Sequence, residues 1–263
     1  MADAAAASAP PSARPTVAGG PGTSAAPTRH RPRGLLIAGV AGLALFVLFA
    51  FAVVADVEHP LTQPLDDAWR SAFGSGPGVG QASWAVPMFF QYLGELPGAV
   101  LTILLIPAWL FIVGRWRSAL FFLSAEFGGS LVVSQLTKNL VDRPRPAEDL
   151  ANGLFGPLFS VDHGSFPSGH AVSAGILLVA VAALLPAAKR NVWWSVGGAI
   201  AVGMIWQRTL INAHWFSDAV FGIVGGASAT LVLWWAFAPL LRADYGKPLF
   251  RRRITSPAHE GAS

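Results

Sequence analysis

Residues 167–185 read PSGHAVSAGILLVAVAALL, a tetrapeptide, Pro167-Ser168-Gly169-His170, that opens a long run with no charged residue. Such a run suits a helix crossing hydrocarbon, which takes about 17–25 predominantly apolar residues. The rest of the chain is built alike. Of its 263 residues, 53% are hydrophobic and 12% charged, where soluble domains carry about 25% charged residues. The mean hydropathy is +0.52. The pattern predicts six apolar spans, at roughly 35–56, 98–114, 118–137, 169–187, 192–210 and 214–237. The expected fold is all-α, a polytopic membrane protein with a six-helix transmembrane bundle. The absence of cysteine excludes disulfides, thiol nucleophiles and thiolate metal sites.

Three regions follow. Residues 1–33, rich in Ala, Pro, Ser, Gly and Thr without apolar periodicity, read as a disordered tail. Arg29, Arg31 and Arg33 ahead of the first run imitate a signal peptide. That run is about twenty residues long with no clear small-residue cleavage site, so it reads as an uncleaved span. Residues 34–241 form the membrane domain, and 242–263 a basic tail. The connection 57–97 is too long for a tight turn. Its Trp84, Phe89, Phe90 and Tyr92 predict a short helix at the membrane–water interface, where aromatic rings concentrate; a seventh span is the competing reading.

The net charge of +4 is explained by topology and implies no nucleic-acid partner. With the N-terminus inside, thirteen of the 18 Lys and Arg lie inside. Arg70, Lys138, Arg143, Arg145 and Arg208 lie outside. The positive-inside rule then places both termini in the cytoplasm and the chemistry-bearing residues on the extracytoplasmic face. Arg251-Arg252-Arg253 reads as a topology anchor touching anionic lipid.

Those residues form three clusters. Lys138 is followed after six residues by Arg145-Pro146. The tetrapeptide comes next, and then Arg208, His214 and Asp218. Arg presents a planar fork to two phosphate oxygens and Lys a compact charge, so Lys138, Arg145 and Arg208 predict an anion site. Taken singly, each reads as well as a snorkelling anchor; Arg143 is left with that role or as a rim contact. Ser168 is the predicted N-cap of the fourth span. Gly169 allows close backbone approach, and the helix-start amides suit a phosphate. His170 falls in the first turn. His214 and Asp218 are four apart, so on a helix they share a face, and a carboxylate on one imidazole nitrogen makes the other a better base. A metal site at His163 and His170 lacks a partner at helical or hairpin spacing. Glu126 lies mid-way along the third span, neutral or hydrogen-bonded. Gly128-Gly129, Gly197-Gly198 and Gly225-Gly226 fit close helix packing.

The three ordered motifs resemble the type 2 phosphatidic acid phosphatase superfamily, which also includes vanadium haloperoxidases. Its pattern is K-x6-R-P, P-S-G-H and S-R-x5-H-x3-D. Here stand Lys138-x6-Arg145-Pro146, Pro167-Ser168-Gly169-His170 and Arg208-x5-His214-x3-Asp218. Gln207 replaces the family's Ser; its amide can still donate to a phosphate oxygen, so a tuned site is expected. The resemblance implies that His214 attacks phosphorus, giving a phosphohistidine, with Asp218 orienting it. It implies that His170 protonates the leaving oxygen and then activates water. Lys138, Arg145, Arg208 and the amides near Ser168 and Gly169 would hold the phosphate, with no metal or other cofactor.

The expected activity is hydrolysis of a phosphate from a membrane lipid, delivered laterally by the bilayer. Substrate classes within the resemblance are a polyprenyl diphosphate such as undecaprenyl diphosphate, phosphatidic acid and phosphatidylglycerol phosphate. Short loops point to a bacterial plasma membrane. The alternatives are a lipid-linked phosphotransferase and a transporter of anionic lipid. Charges gathered at one level favour a site over a pathway. Neither the lipid nor the oligomeric state is legible.

Overall fold

A computed structural model describes residues 31–76, 80, 84–161 and 163–247. The expected tails, 1–33 and 242–263, fall largely outside them. The helices are α1 (Arg33–Ala55), α2 (Gln63–Phe73), α3 (Ala85–Leu93), α4 (Leu96–Ile112), α5 (Trp116–Leu140), α6 (Gly169–Leu184), α7 (Ala187–Leu210) and α8 (Phe216–Tyr245). Parts of α4 and α5, Val100–Leu105 and Gly129–Leu136, are wound in wider π turns.

By length and composition α1, α5 and α8 can each cross a membrane, and α3 with α4, bent by 53°, make a fourth if they are one broken span. The six expected spans correspond to α1 and α4–α8. Two do not meet that measure. At 16 residues α6 is about 24 Å long at 1.5 Å per residue, because Leu185-Pro186 ends it and opens α7. The termini of α7 hold Lys189, Arg190 and Arg208.

The connection 57–97 holds two helices where one was expected. The aromatic helix is α3, with Trp84 at its N-cap and Phe89 and Tyr92 exposed. Hydropathy passed over α2 because its apolar positions are few. It docks through Trp69, whose ring stacks on Phe216 at 4.2 Å and whose Nε1–H donates to Thr209 Oγ1 (2.9 Å).

The core of the bundle is the crossing of α6 and α8. A Cβ on Gly222 would stand 2.9 Å from the Ser168 carbonyl oxygen, and one on Gly226 2.2 Å from that of Val172. Small residues one turn apart let the two backbones touch, the usual device where helices meet in lipid. Of the three expected glycine pairs, Gly129, Gly197, Gly225 and Gly226 sit against neighbours, while Gly128 and Gly198 have open space beside Cα. Phe166 is buried, stacked on Phe46 at 5.5 Å and edge-on to Phe49 at 5.5 Å. It pins the segment that leads through a cis Phe166–Pro167 bond into α6.

Candidate active site

The chain direction of each helix decides where its motif lands. Lys138 is in the last turn of α5, Gly169 and His170 begin α6, Arg208 ends α7, and His214 lies between α7 and α8. All are at one end of the bundle. There, with Arg145 of the loop after α5, these six residues line a single cavity of about 360 Å³. The expected convergence of both histidines and three cations on one pocket is therefore present in the geometry. Ser130, Ser134 and Lys138 present a polar stripe of α5 to it, and Gln91 and Glu95 close it from α3 and the α3–α4 bend.

His214 is held at both nitrogens. Its Nδ1 is 2.7 Å from the Ser165 carbonyl oxygen, and its Nε2 is 3.2 Å from Arg145 Nη1. A carbonyl can only accept and a guanidinium can only donate. Both neighbours therefore select the same tautomer, with the proton on Nδ1 and an unprotonated Nε2 whose lone pair accepts from Arg145. Burial, then the charges of Arg145, Arg208 and Lys138 in that order, hold the imidazole well below its usual range; the Ser165 carbonyl opposes them. That shift favours the neutral ring over the imidazolium.

Asp218 does not hold this ring in the way its spacing suggested. Helix α8 starts at Phe216, so His214 precedes it and the two residues share no helical face. Instead Asp218 accepts from the Ser165 hydroxyl, from the Trp215 amide (3.0 Å) and from Arg143 Nη1 (2.7 Å). It acts on His214 through Ser165, fixing the residue whose carbonyl fixes the imidazole.

Arg143 is not an interfacial anchor. It is 1% exposed, and besides Asp218 it donates to Asp66 (2.9 Å), Ser217 (2.9 Å) and Gln63 (2.9 Å). Asp66 in turn accepts from the Ser217 amide (2.7 Å) and hydroxyl (2.7 Å). The network ties α2 and the loop after α5 to the start of α8, and the Ser165 amide joins it by donating to the Arg143 carbonyl (2.7 Å).

Ser168 stands at the N-cap of α6, but its hydroxyl makes no cap bond and its amide donates to the Asp218 carbonyl (3.2 Å). It is fully buried and does not line the pocket. Of the two amides assigned to phosphate, only that of Gly169 lies at the pocket, where a helix start leaves N–H groups without intrahelical partners. Gln207 is turned away as well: its Nε2 donates to Gln91 Oε1 (2.9 Å), which also accepts from Arg208 Nη1 (3.0 Å). Sequence reading missed Ser165, Asp66 and Gln91 and undervalued Arg143. Among the described residues no group of three His, Asp or Glu could hold a metal ion.

Comparison with known proteins finds similarity over the second half of the chain. Residues 118–241, which include all the predicted site residues, match the model of the PAP2 superfamily. The match takes in 124 of the 263 residues. Lipid A 1-phosphatases of Rhizobium johnstonii and Rhizobium etli are each 32% identical to it, over 126 and 120 residues. These matches cover 47% and 44% of this chain and 49% of each relative, so the chain spans about half the length of the curated relatives it matches. The fold is shared with a crystal structure, that of a transmembrane PAP2 type phosphatidylglycerolphosphate phosphatase from Bacillus subtilis. The TM-score is 0.58 at 24% identity, covering 81% of this chain and 98% of that one. Helices α5–α8 hold the matched residues, and with α1 and the bent α3–α4 pair they make an integral membrane protein.

Proposed function

We propose that this protein is a PAP2 lipid phosphatase that removes a phosphate from a membrane lipid phosphate or diphosphate through a phosphohistidine on His214. One observation carries the reading: the unprotonated Nε2 of His214 faces a cavity walled by Lys138, Arg145 and Arg208. Three fixed cations in a site of low dielectric can stabilise the charge spread over the equatorial oxygens of a phosphoryl group in transfer.

In the first step Nε2 attacks phosphorus in line, and the bond from phosphorus to the ester oxygen breaks. His170, on the same cavity, gives its proton to that oxygen as it leaves. In the second step His170 takes a proton from water as the water oxygen attacks the same phosphorus. The N–P bond breaks, and inorganic phosphate and neutral His214 result. Asp218 contributes through Ser165, keeping the Nδ1–H pointed at its carbonyl as the ring gains charge.

The relatives' names and the site's chemistry support this substrate class. Lipid A 1-phosphate and phosphatidylglycerol phosphate are both phosphomonoesters on a lipid with a hydroxylated head. Phosphatidic acid and polyprenyl diphosphates share the phosphate and the chain. The Lys and Arg distribution favours both termini in the cytoplasm and a pocket on the extracytoplasmic side of a bacterial plasma membrane.

The experiment is phosphate release from a panel of lipid phosphates by the detergent-solubilised protein in the presence of EDTA. Turnover is expected on at least one, with inhibition by vanadate, which adopts the five-coordinate geometry of the transfer. His214→Ala should abolish it, and His170→Ala should lower it by about 10²–10⁴-fold, the usual contribution of a general acid. Full activity in His214→Ala would refute the nucleophile.

A further inference from the structure

The pole of the bundle opposite the catalytic pocket contains a second basic cavity. Chain direction again places it. Helix α5 begins there after Arg115, α6 ends there at Leu184, α7 begins there at Ala187, and α8 ends there at Tyr245. The cavity is about 490 Å³, and Arg115, Arg190 and Lys247 line it beside Leu184, Pro186 and Ala187.

Three features mark it as more than a gap between helix ends. Arg115 is 2% exposed, and its Nε–H is buried without an acceptor, although Nη2 donates to the Leu184 carbonyl (3.3 Å). A buried guanidinium N–H with no partner carries the desolvation cost of a lost hydrogen bond. Burial lowers the Arg115 pKa, with Asp244 opposing the shift. Second, the N-terminus of the 24-residue α7 opens on the cavity at Pro186 and Ala187, and Pro186 supplies no side-chain cap. Its first amides and the positive end of its dipole therefore face the same space. Third, the nearby carboxylate is already engaged. Asp244 accepts from the Ser118 amide and hydroxyl, pairs with Arg117 at 3.5 Å and with Lys247 at 3.0 Å, and does not line the cavity.

Arg190 is fixed in place: its Nε donates to the Ala182 and Leu185 carbonyls (3.1 and 3.2 Å) and its guanidinium lies over the Trp234 ring, 5.1 Å from the ring centroid. Fixed cations, a helix start and an unanswered buried donor are what a phosphate group binds to.

We propose that this cavity is a second phosphate-group site, at the membrane face opposite the catalytic pocket, taking either an anionic lipid headgroup or a free phosphate. Its apolar wall of Leu184, Pro186 and Ala187 suits the glycerol end of a phospholipid. At this level of a spanning bundle, anionic headgroups are the phosphate-bearing groups at hand.

Phosphatidylglycerol is the probe, because a phosphodiester is not a substrate for a phosphomonoesterase. Full-length protein is titrated with it and the bound lipid counted by native mass spectrometry. The paired Arg115→Gln, Arg190→Gln variant is expected to bind the tightest lipid about tenfold more weakly than wild type, since each removed cation faced the anion in a desolvated site. Turnover of a soluble phosphomonoester should be unchanged. Should Arg115→Gln prevent folding, Arg190→Gln and Lys247→Gln read the same loss singly. Millimolar inorganic phosphate distinguishes the sources: displacement of the lipid means that the site accepts the free anion too, and no displacement means that it is a headgroup site. Equal lipid retention by wild type and the folded variants, with phosphate raising the Tm of all of them equally, would overturn the proposal.

Discussion

Replacing Arg143 by Gln tests whether the buried network under His214 holds the site together. Arg143 is 1% exposed and stands 2.7 Å from Asp218 and 2.9 Å from Asp66, which are 0% and 1% exposed. The trio carries a net charge of −1; without the guanidinium, two buried carboxylates face each other. Gln can restore one or two of four hydrogen bonds but none of the charge. Removing one partner of a buried ion pair costs about 3–5 kcal/mol. At ~2–4 °C per kcal/mol for a chain of this size, the Tm should fall by about 6–20 °C, followed by tryptophan fluorescence of the solubilised protein. Adding Asp66→Asn removes one stranded charge. The double variant should then be more stable than the sum of the singles by about 0.5–3 kcal/mol, the range for residues in one network. Turnover by Arg143→Gln, at a temperature where it stays folded, should fall by about tenfold or more, because small misplacements of a reacting group are costly. A Tm within about 2 °C of wild type, or strict additivity, would refute the reasoning.

Other substitutions test neighbouring parts. Because the folded His214 titrates well below its usual 6.5, the unfolded chain binds the extra proton first. Stability should be complete above pH 6.5 and decline as pH falls below it, and urea midpoints of His214→Gln should lose that part of the slope. For the same reason the acid limb of kcat/KM should not be set by a His214 titration near 6.5. Gln207→Ser should keep kcat/KM within about tenfold of wild type, since Gln91 still accepts from Arg208 and one neutral hydrogen bond contributes about 1 kcal/mol; a larger loss would place Gln207 on the substrate. Gly226→Val sets a side chain against the Val172 backbone at 2.2 Å. It should cost at least the ~1–3 kcal/mol of an overpacked core, read as a lower Tm.

The sequence showed the wall of the pocket and hid what stands behind it, for a physical reason. Lys138, Arg145, His170, Arg208 and His214 were legible because they stand in three ordered motifs at the ends of apolar runs, although each cation alone reads as an anchor. Ser165 was not, since what it offers His214 is a carbonyl, an atom that every residue has. Asp66 was hidden in a segment whose modest hydropathy signalled only a connection, although its partner Ser217 lies 151 positions away. Arg143 was misread because one arginine near a helix end looks like an anchor until its carboxylates are placed. The signal available was electrostatic: outside cations closely spaced in a loop call for acids, and Asp66 was one of the acids on that side. The spacing of His214 and Asp218 misled because it assumed a helix that starts two residues later.

Every reacting group proposed here sits in a loop or at a helix terminus, where local opening is easiest. In-line transfer to Nε2 tolerates little error in the ring's position. The structure resolves that conflict by burying ion pairs one layer below: Asp66, Arg143 and Asp218 join α2, the loop after α5 and the start of α8, and Ser165 transmits their rigidity to His214. Stability and turnover should therefore fall together when Arg143 is changed. At the far pole, Arg115 is as deeply buried but meets no reacting group, so its loss can lower stability and lipid binding while leaving the chemistry intact. A matched pair of arginine variants, one at each end, thus separates the positioning of the nucleophile from the general cost of a buried cation.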